Sequence, residues 1–123
     1  MKNIIVLGSN SFAGSSFVDF CLKKNLKIIG ISRSSQKSKW ELKYLTNKNI
    51  NKFNFYKINI NKNLDKLKKI INKKSTIIDF IGQGMVAESW ENPHQWFETN
   101  VLSKIKLIEL LKKIGVHKYI RIS

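Results

Sequence analysis

The sequence predicts an α/β fold, a doubly wound parallel sheet with helices on both faces. Three observations predict it. Short β-branched apolar runs alternate with stretches whose apolar residues fall at helical spacing, from one end of the chain to the other. The runs are continuous and not alternating, as strands covered on both faces require. A glycine-bearing turn, "LGSNSFAG", joins the first run to the first amphipathic stretch.

"NIIVL", 3–7, bounded by Gly8, is the first strand. From Phe12 to Lys24 the apolar residues Phe12, Ala13, Phe17, Val18, Cys21 and Leu22 fall at helical spacing. "LKIIGIS" is the second strand and "KSKWELKYL" a short helix. The Asn/Lys-rich stretch from Thr46 to Lys52 reads as the most mobile loop. "FNFYKINI" is the third strand. Asn63 is placed to cap a helix whose apolar side is Leu64, Leu67, Ile70 and Ile71. "TIIDFIG" is the fourth strand. Asn92-Pro93 marks a helix start, with a capping residue before proline at the first position. That helix is expected to run to Ile114 with Trp96, Phe97, Val101, Ile105, Ile108 and Leu111 inward, and Gly115 ends it. "KYIRI" is the fifth strand. Right-handed crossovers then make the sheet parallel.

The 123 residues suit one domain with a modest core. No apolar run approaches the ~20 residues that a membrane-crossing helix needs, and the N-terminus lacks the features of a signal peptide. Cys21 is the only cysteine, which excludes an internal disulfide framework and a cysteine-based zinc site. The expected location is the cytoplasm, with no membrane partner. The net charge of +15 rests almost wholly on Lys, with Arg only at 33 and 121. These lysines are scattered among Asn and Ile, so they read as solvated surface and not as a nucleic-acid face, where Arg is favoured.

The first turn carries the chemistry. Gly8, Ser11 and Gly14 follow a G-x-x-S-x-x-G spacing between a strand and a helix. Ligands of open parallel sheets bind beyond the carboxyl ends of the strands, where a helix N-terminus offers free N–H groups and a positive dipole end to a pyrophosphate. The turn residues Gly8, Asn10, Ser11, Phe12, Ala13 and Gly14 are therefore candidate cofactor contacts. The turn resembles that of the extended short-chain dehydrogenase/reductase family, which includes sugar-nucleotide epimerases and 4,6-dehydratases. The family carries G-x-x-G-x-x-G here, and this chain departs from it at Ser11.

An acidic residue at the end of the second strand would accept hydrogen bonds from both adenosine ribose hydroxyls and repel a 2′-phosphate. This chain has "GISRSS" instead, so Arg33, flanked by Ser32 and Ser34, is expected to meet a 2′-phosphate. The cofactor reading is NADP, with NAD the alternative. GDP-mannose 4,6-dehydratases look similar at this point. After the third strand the family usually places an Asp and an apolar residue against the adenine; here Asn59 and Ile60 stand there.

"DFIGQGMVAESWENPHQWFETNVLSKIKLIELLKKIGVHKYIRIS" resembles the family most specifically. Ile81, Gly82 and Gln83, followed by Gly84, match its small-residue strand end at the nicotinamide side. "MVAESWENP" resembles the substrate-side loop. Asn100 of "TNV" matches the helix Asn that faces the cofactor. The resemblance covers 1–123 and implies a Rossmann-type sheet truncated after strand five. Asp79 is read as structural, Cys21 as core, Trp90 and Trp96 as packing residues, and His94 and His117 as surface residues without a metal.

In the family, strand five ends in Ser followed by a catalytic Ser or Thr, with Y-x-x-x-K further on. Ser123 aligns just before that hydroxyl, so no catalytic residue is assigned. The only tyrosine with Lys four positions on is Tyr44, in a polar loop. The expectation is an N-terminal NAD(P)-binding domain, 1–123, of a longer sugar-nucleotide epimerase, 4,6-dehydratase or reductase, inactive by itself. The full-length enzyme would take a nucleotide-sugar substrate and pair as a homodimer through its long helices. The alternatives are a non-catalytic NADP-sensing domain on the same fold and a basic nucleic-acid-binding protein.

Overall fold

The computed structural model describes residues 3–82 and 90–122. Five strands, β1 (Asn3–Leu7), β2 (Ile28–Ser32), β3 (Phe53–Lys57), β4 (Ser75–Asp79) and β5 (Lys118–Arg121), form one sheet in the order β3-β2-β1-β4-β5. Every pairing is parallel. The α-helices among the described residues include α1 (Phe12–Lys23), α2 (Pro93–Phe97) and α3 (Ser103–Ile114), and a π-helical turn, Glu98–Leu102, joins the last two. No helix among the described residues is long and apolar enough to cross a membrane.

The two-residue period of the strands divides the core into two layers. Ile5, Leu7, Ile31 and Ile77 face one side, where Leu107, Leu110 and Leu111 of α3 cover them. Val6 and Ile28 face the other, against Val18, Cys21 and Leu22 of α1. Both layers are needed because the central strands have no wet face. Gly30 lies on the α1 side, where a Cβ would come within 2.5 Å of the Phe53 ring. Gly115 closes α3 in the left-handed region, with φ at 78°, as expected of a C-terminal glycine.

Several expectations are corrected. "KSKWELKYL" is not a helix, and only Lys43–Thr46 forms a 3₁₀ turn. Leu42 and Tyr44 are both buried at a spacing of two, which extended backbone serves and a helix does not, and Trp40 points outward. The 3₁₀ turn at Leu64–Lys69 replaces the expected α-helix, and Asn63 makes no capping bond. The physical reason is legible afterwards, because Leu64, Leu67 and Ile70 repeat every three residues, the 3₁₀ period. The third and fourth strands end earlier than expected, at Lys57 and Asp79.

Nor is the stretch after Thr46 a loose loop. The Nδ2 of Asn47 donates to Asp19 Oδ1 at 3.0 Å, and that of Asn49 to the Leu22 carbonyl at 2.7 Å. Pro93 opens α2 as expected, but Asn92 supplies no side-chain cap. The inward face of the long helical segment also differs. Thr99, Ser103, Lys104, Leu107, Leu110 and Leu111 are buried, while Phe97, Ile105 and Ile108 are exposed. The π turn changes the phase between its two ends, so a single helical wheel through 93–114 misplaces the stripe. Trp90 is exposed and does not pack as core. His94 and His117 lie on the surface, as expected.

Cys21 is buried, and desolvation pushes its thiol from 9.0 up to about 11. Below pH 9.0 both folded and unfolded chains keep the proton. Between there and about 11 only the folded chain keeps it, so stability falls as pH rises. The slope from this group is at most ~1.4 kcal/mol per pH unit. Urea unfolding of the protein and of Cys21→Ala across that range is expected to show a shallower alkaline decline in the variant; equal declines would contradict the assignment.

Candidate functional site

A cleft of about 260 Å³ opens at the carboxyl ends of the strands. Four connections build its walls: the turn after β1, the loop after β2, the segment after β3 and the segment after β4. Thr99, from the π turn, closes the far side. β1 lies between β2 and β4; the chain leaving β1 goes to β2 on one side and the chain leaving β4 goes to β5 on the other, so the connections splay apart between β1 and β4.

The turn after β1 is held by short-range bonds. Gly8 has φ at 84°, in the left-handed region, and its carbonyl accepts from the Ser11 N–H at 3.0 Å. Ser11 caps α1. Its Oγ donates to the Gly8 carbonyl at 2.8 Å and accepts from the Gly14 N–H at 3.0 Å. Gly14 has no room for a side chain, since a Cβ would lie 2.1 Å from the Gly8 oxygen. Capping by Ser11 therefore uses one of the first N–H groups of α1. The N–H groups of Phe12 and Ala13 make no bond among the described residues and remain at the positive end of the helix.

Asn10 fastens this turn to the loop after β2. Its N–H donates to Ser32 Oγ at 3.0 Å, and its Nδ2 donates to the carbonyls of Ser34 and Ser35 at 3.1 and 3.0 Å. Tyr44, fully buried, donates its hydroxyl to Asn10 Oδ1 at 3.4 Å. Burial raises the Tyr44 phenol, which therefore stays neutral. These bonds set Arg33 and Lys37 at the rim, both exposed. Among the described residues no carboxylate lines the cleft, and the charged side chains that the loop after β2 brings to it are Arg33 and Lys37.

After β3, Asn59 Oδ1 accepts from the Asn61 N–H at 2.9 Å, forming an Asx turn. Asn61 reaches across the cleft to the π turn. Its Nδ2 donates to Thr99 Oγ1 at 3.0 Å, and its Oδ1 accepts from Ser103 Oγ. After β4, Gly82 sits so close to the π turn that a Cβ there would lie 3.3 Å from Asn100 Oδ1.

Beneath the cleft lies a buried ionic cluster. Asp79, fully buried at the end of β4, accepts from Lys104 Nζ and Tyr119 OH, each at 2.5 Å, through Oδ2. Its Oδ1 accepts from the Ile81 N–H at 2.8 Å, which orients the strand end that lines the cleft. Burial lowers the Lys104 pKa, and the hydrogen bond and charge of Asp79 work against that shift. Tyr119 is raised, first by burial and then by Asp79, so it stays a neutral donor.

Of the residues expected from the sequence, Gly8, Asn10, Ser11, Ser32, Arg33, Ser34, Asn59, Ile60, Ile81 and Gly82 are brought together in one cleft. Phe12 and Ala13 do not line it; their side chains are exposed and only their backbone faces the turn. Gly14 is buried behind the turn, and Asn100 is half-buried next to Gly82. Gln83, Gly84, most of the "MVAESWENP" loop and Ser123 lie outside the described residues. Sequence reasoning missed Lys37, Ile58, Asn61, Phe80 and Thr99. Lys37, four residues beyond Arg33, was a readable signal. Asn61 and Thr99 meet across 38 positions and offered none.

The family description "GDP-mannose 4,6 dehydratase" matches residues 5–123. The UDP-glucuronate 4-epimerase of Thermodesulfobacterium geofontis is 30% identical over 98% of this chain, which covers 38% of that protein. Among solved structures, a UDP-glucose 4-epimerase of Thermotoga maritima with UDP-glucose superposes with a TM-score of 0.76 at 26% identity, over 97% of this chain and 37% of the other. A UDP-glucose-4-epimerase of Stenotrophomonas maltophila with bound NAD and formylated UDP-arabinopyranose gives 0.82 at 15% identity, over 98% and 36%. This chain thus spans between a third and two fifths of the proteins it resembles.

Asp79→Ala would leave Lys104 buried without its counter-charge. A loss of about 3–5 kcal/mol is expected. Asp79→Leu combined with Lys104→Met would recover most of it, since neither charge is then stranded. Chemical denaturation of the single and double variants checks this, and a double variant as unstable as Asp79→Ala would refute it.

Proposed function

This chain belongs to the extended short-chain dehydrogenase/reductase family, in its branch of NAD-dependent sugar-nucleotide epimerases and dehydratases, and from that membership we propose that it is the dinucleotide-binding portion of such an enzyme. The observation that carries the reading is the cleft itself, where the capped turn of α1, the basic loop after β2 and the strand end of β4 converge. The free N–H groups of Phe12 and Ala13 would hold the pyrophosphate. Ile81 and Gly82 would lie along the nicotinamide half, where the lack of a side chain at Gly82 permits close approach. The nicotinamide, when bound, supplies a hydride acceptor for a sugar carbon. The residues of this chain bind and orient.

For the adenosine end we propose NADP over NAD. Arg33 and Lys37 stand at the rim, Ser34 lies between them, and among the described residues no carboxylate lines the cleft to oppose a 2′-phosphate. Asn59 has its Oδ1 engaged by Asn61, so its Nδ2 is the group left to meet the base. The substrate class we infer is a nucleotide sugar, and the setting is the cytoplasm. The exposed apolar residues Phe97, Leu102, Ile105 and Ile108 support helix pairing with a second copy in the complete enzyme.

Turnover is not expected of this chain alone. Tyr44 and Lys48 have the spacing of an acid–base pair, but Tyr44 is sealed in the core against Phe53, with ring centroids 4.6 Å apart. Its hydroxyl bonds Asn10 and also accepts from Gln36 Nε2 at 3.2 Å, so it does not serve a substrate.

Calorimetric titration with NADPH and NADH tests the reading. NADPH is expected to bind more tightly and to raise the Tm. Arg33→Ala should weaken NADPH about tenfold, the loss of roughly one charge-assisted contact, and leave NADH unchanged. Equal effects on both would remove the NADP preference. No dinucleotide binding, together with steeply salt-dependent binding of DNA, would replace the whole reading with that of a polycation.

A further inference from the structure

Two parts of the cleft wall come from stretches of the chain far apart in sequence. One is the segment after β3, the other the π turn that interrupts the long helix. A π turn is rare and appears mostly as a single bulge within an α-helix, often at a functional site. Here the Ser103 N–H bonds the Glu98 carbonyl, five residues back. In a regular helix it would bond the Thr99 carbonyl, and the residues before it would rotate by about 100° for the residue removed from the turn. Something outside the helix must favour the wider turn.

Asn61 is placed to do so. Its side-chain amide bonds Thr99 Oγ1 on one side and Ser103 Oγ on the other. Those hydroxyls stand four residues apart and bracket the turn. Both are nearly excluded from water, at 6% and 3% exposure, so the bonds are not replaced by solvent when lost. Asn61 is itself fixed through its N–H to Asn59 Oδ1. Within the turn so held, Thr99 faces the cleft and Asn100 lies against Gly82.

We propose that Asn61 is a positioning residue that clamps the long helix in its π register and so sets Thr99 and Asn100 at the dinucleotide cleft. The ligand half of this inference rests on the dinucleotide reading above; the clamp itself does not. It makes the segment that would meet the base and the helix wall that would meet the nicotinamide one mechanical unit.

The test compares the protein with Asn61→Ala and with Ser103→Ala, which cuts the clamp from the side away from the cleft. NADPH affinity is measured by calorimetry and amide hydrogen exchange by mass spectrometry or NMR. Both variants are expected to bind NADPH about tenfold more weakly. Both should exchange faster at 98–103, while β1 and α1 keep their protection. A merely structural loss would speed exchange throughout, and that result overturns the proposal. Weaker binding in Asn61→Ala with unchanged exchange at 98–103 also overturns it, because Asn61 would then touch the ligand directly. Faster exchange at 98–103 with unchanged affinity overturns the positioning role. If the unaltered protein binds no dinucleotide, the functional reading fails, and exchange at 98–103 alone then decides the clamp.

Discussion

The rest of the structure depends on one buried charge. Asp79 sits at the carboxyl end of β4, paired in register with Leu7 on one side and Arg121 on the other. An ionised carboxylate taken from water costs several kcal/mol even after the protein relaxes. Three donors offset that cost: Lys104 from α3, Tyr119 from β5 and the N–H of Ile81. Charge-assisted bonds of this kind contribute about 1.5–3 kcal/mol each, so the cluster is near balance only while all three are present. That condition ties a helix, an edge strand and the cleft floor to a single side chain. Packing alone could let α3 slide along the apolar face of the sheet, whereas a carboxylate that needs its ammonium at 2.5 Å admits one register.

Much of this was readable from the residues. Continuous apolar runs marked the strands, because a strand covered by helices on both faces has no reason to alternate. The turn at Gly8 was readable because a positive φ and a helix packed against a carbonyl leave few residue types able to serve. Ser11 was legible as a departure from the family turn, but its role was not. The serine there folds its hydroxyl back to the Gly8 carbonyl and caps Gly14. Local bonds of three residues' span decide such a turn, which is why its position could be read while the partner of each atom could not.

What escaped the sequence depends on partners distant in the chain. Lys104 lies on the inward face of α3, where hydropathy alone places an apolar residue. An isolated carboxylate in an apolar strand, Asp79, was the one sign that a buried cation had to exist. The 3₁₀ turn at Leu64–Lys69 was hidden because a spacing of three satisfies both helix types over so short a stretch. The long helix failed differently. Its start and end were marked by Pro93 and Gly115, yet its face was misread, since the phase depends on a widened turn supported by Asn61 from 38 positions away.

The distribution of charge bears on what such a scaffold can recognise. A net charge of +15 would suggest a polyanion if the cations formed one surface. Among the described residues, three of the lysines are held in ion pairs. Lys104 is spent inside the protein on Asp79, and Lys23 and Lys68 pair with Asp19 and Asp65 on their own helical turns. Arg33 and Lys37 rim a cleft that no carboxylate lines among the described residues, beside the N–H groups at the start of α1. There the cations share one concave site with helix-end donors, an arrangement that suits compact phosphates spaced as in a dinucleotide better than an extended backbone. On the proposed dinucleotide reading, electrostatic selectivity follows from cations placed next to helix-end donors at the sheet's carboxyl edge, and not from their total number.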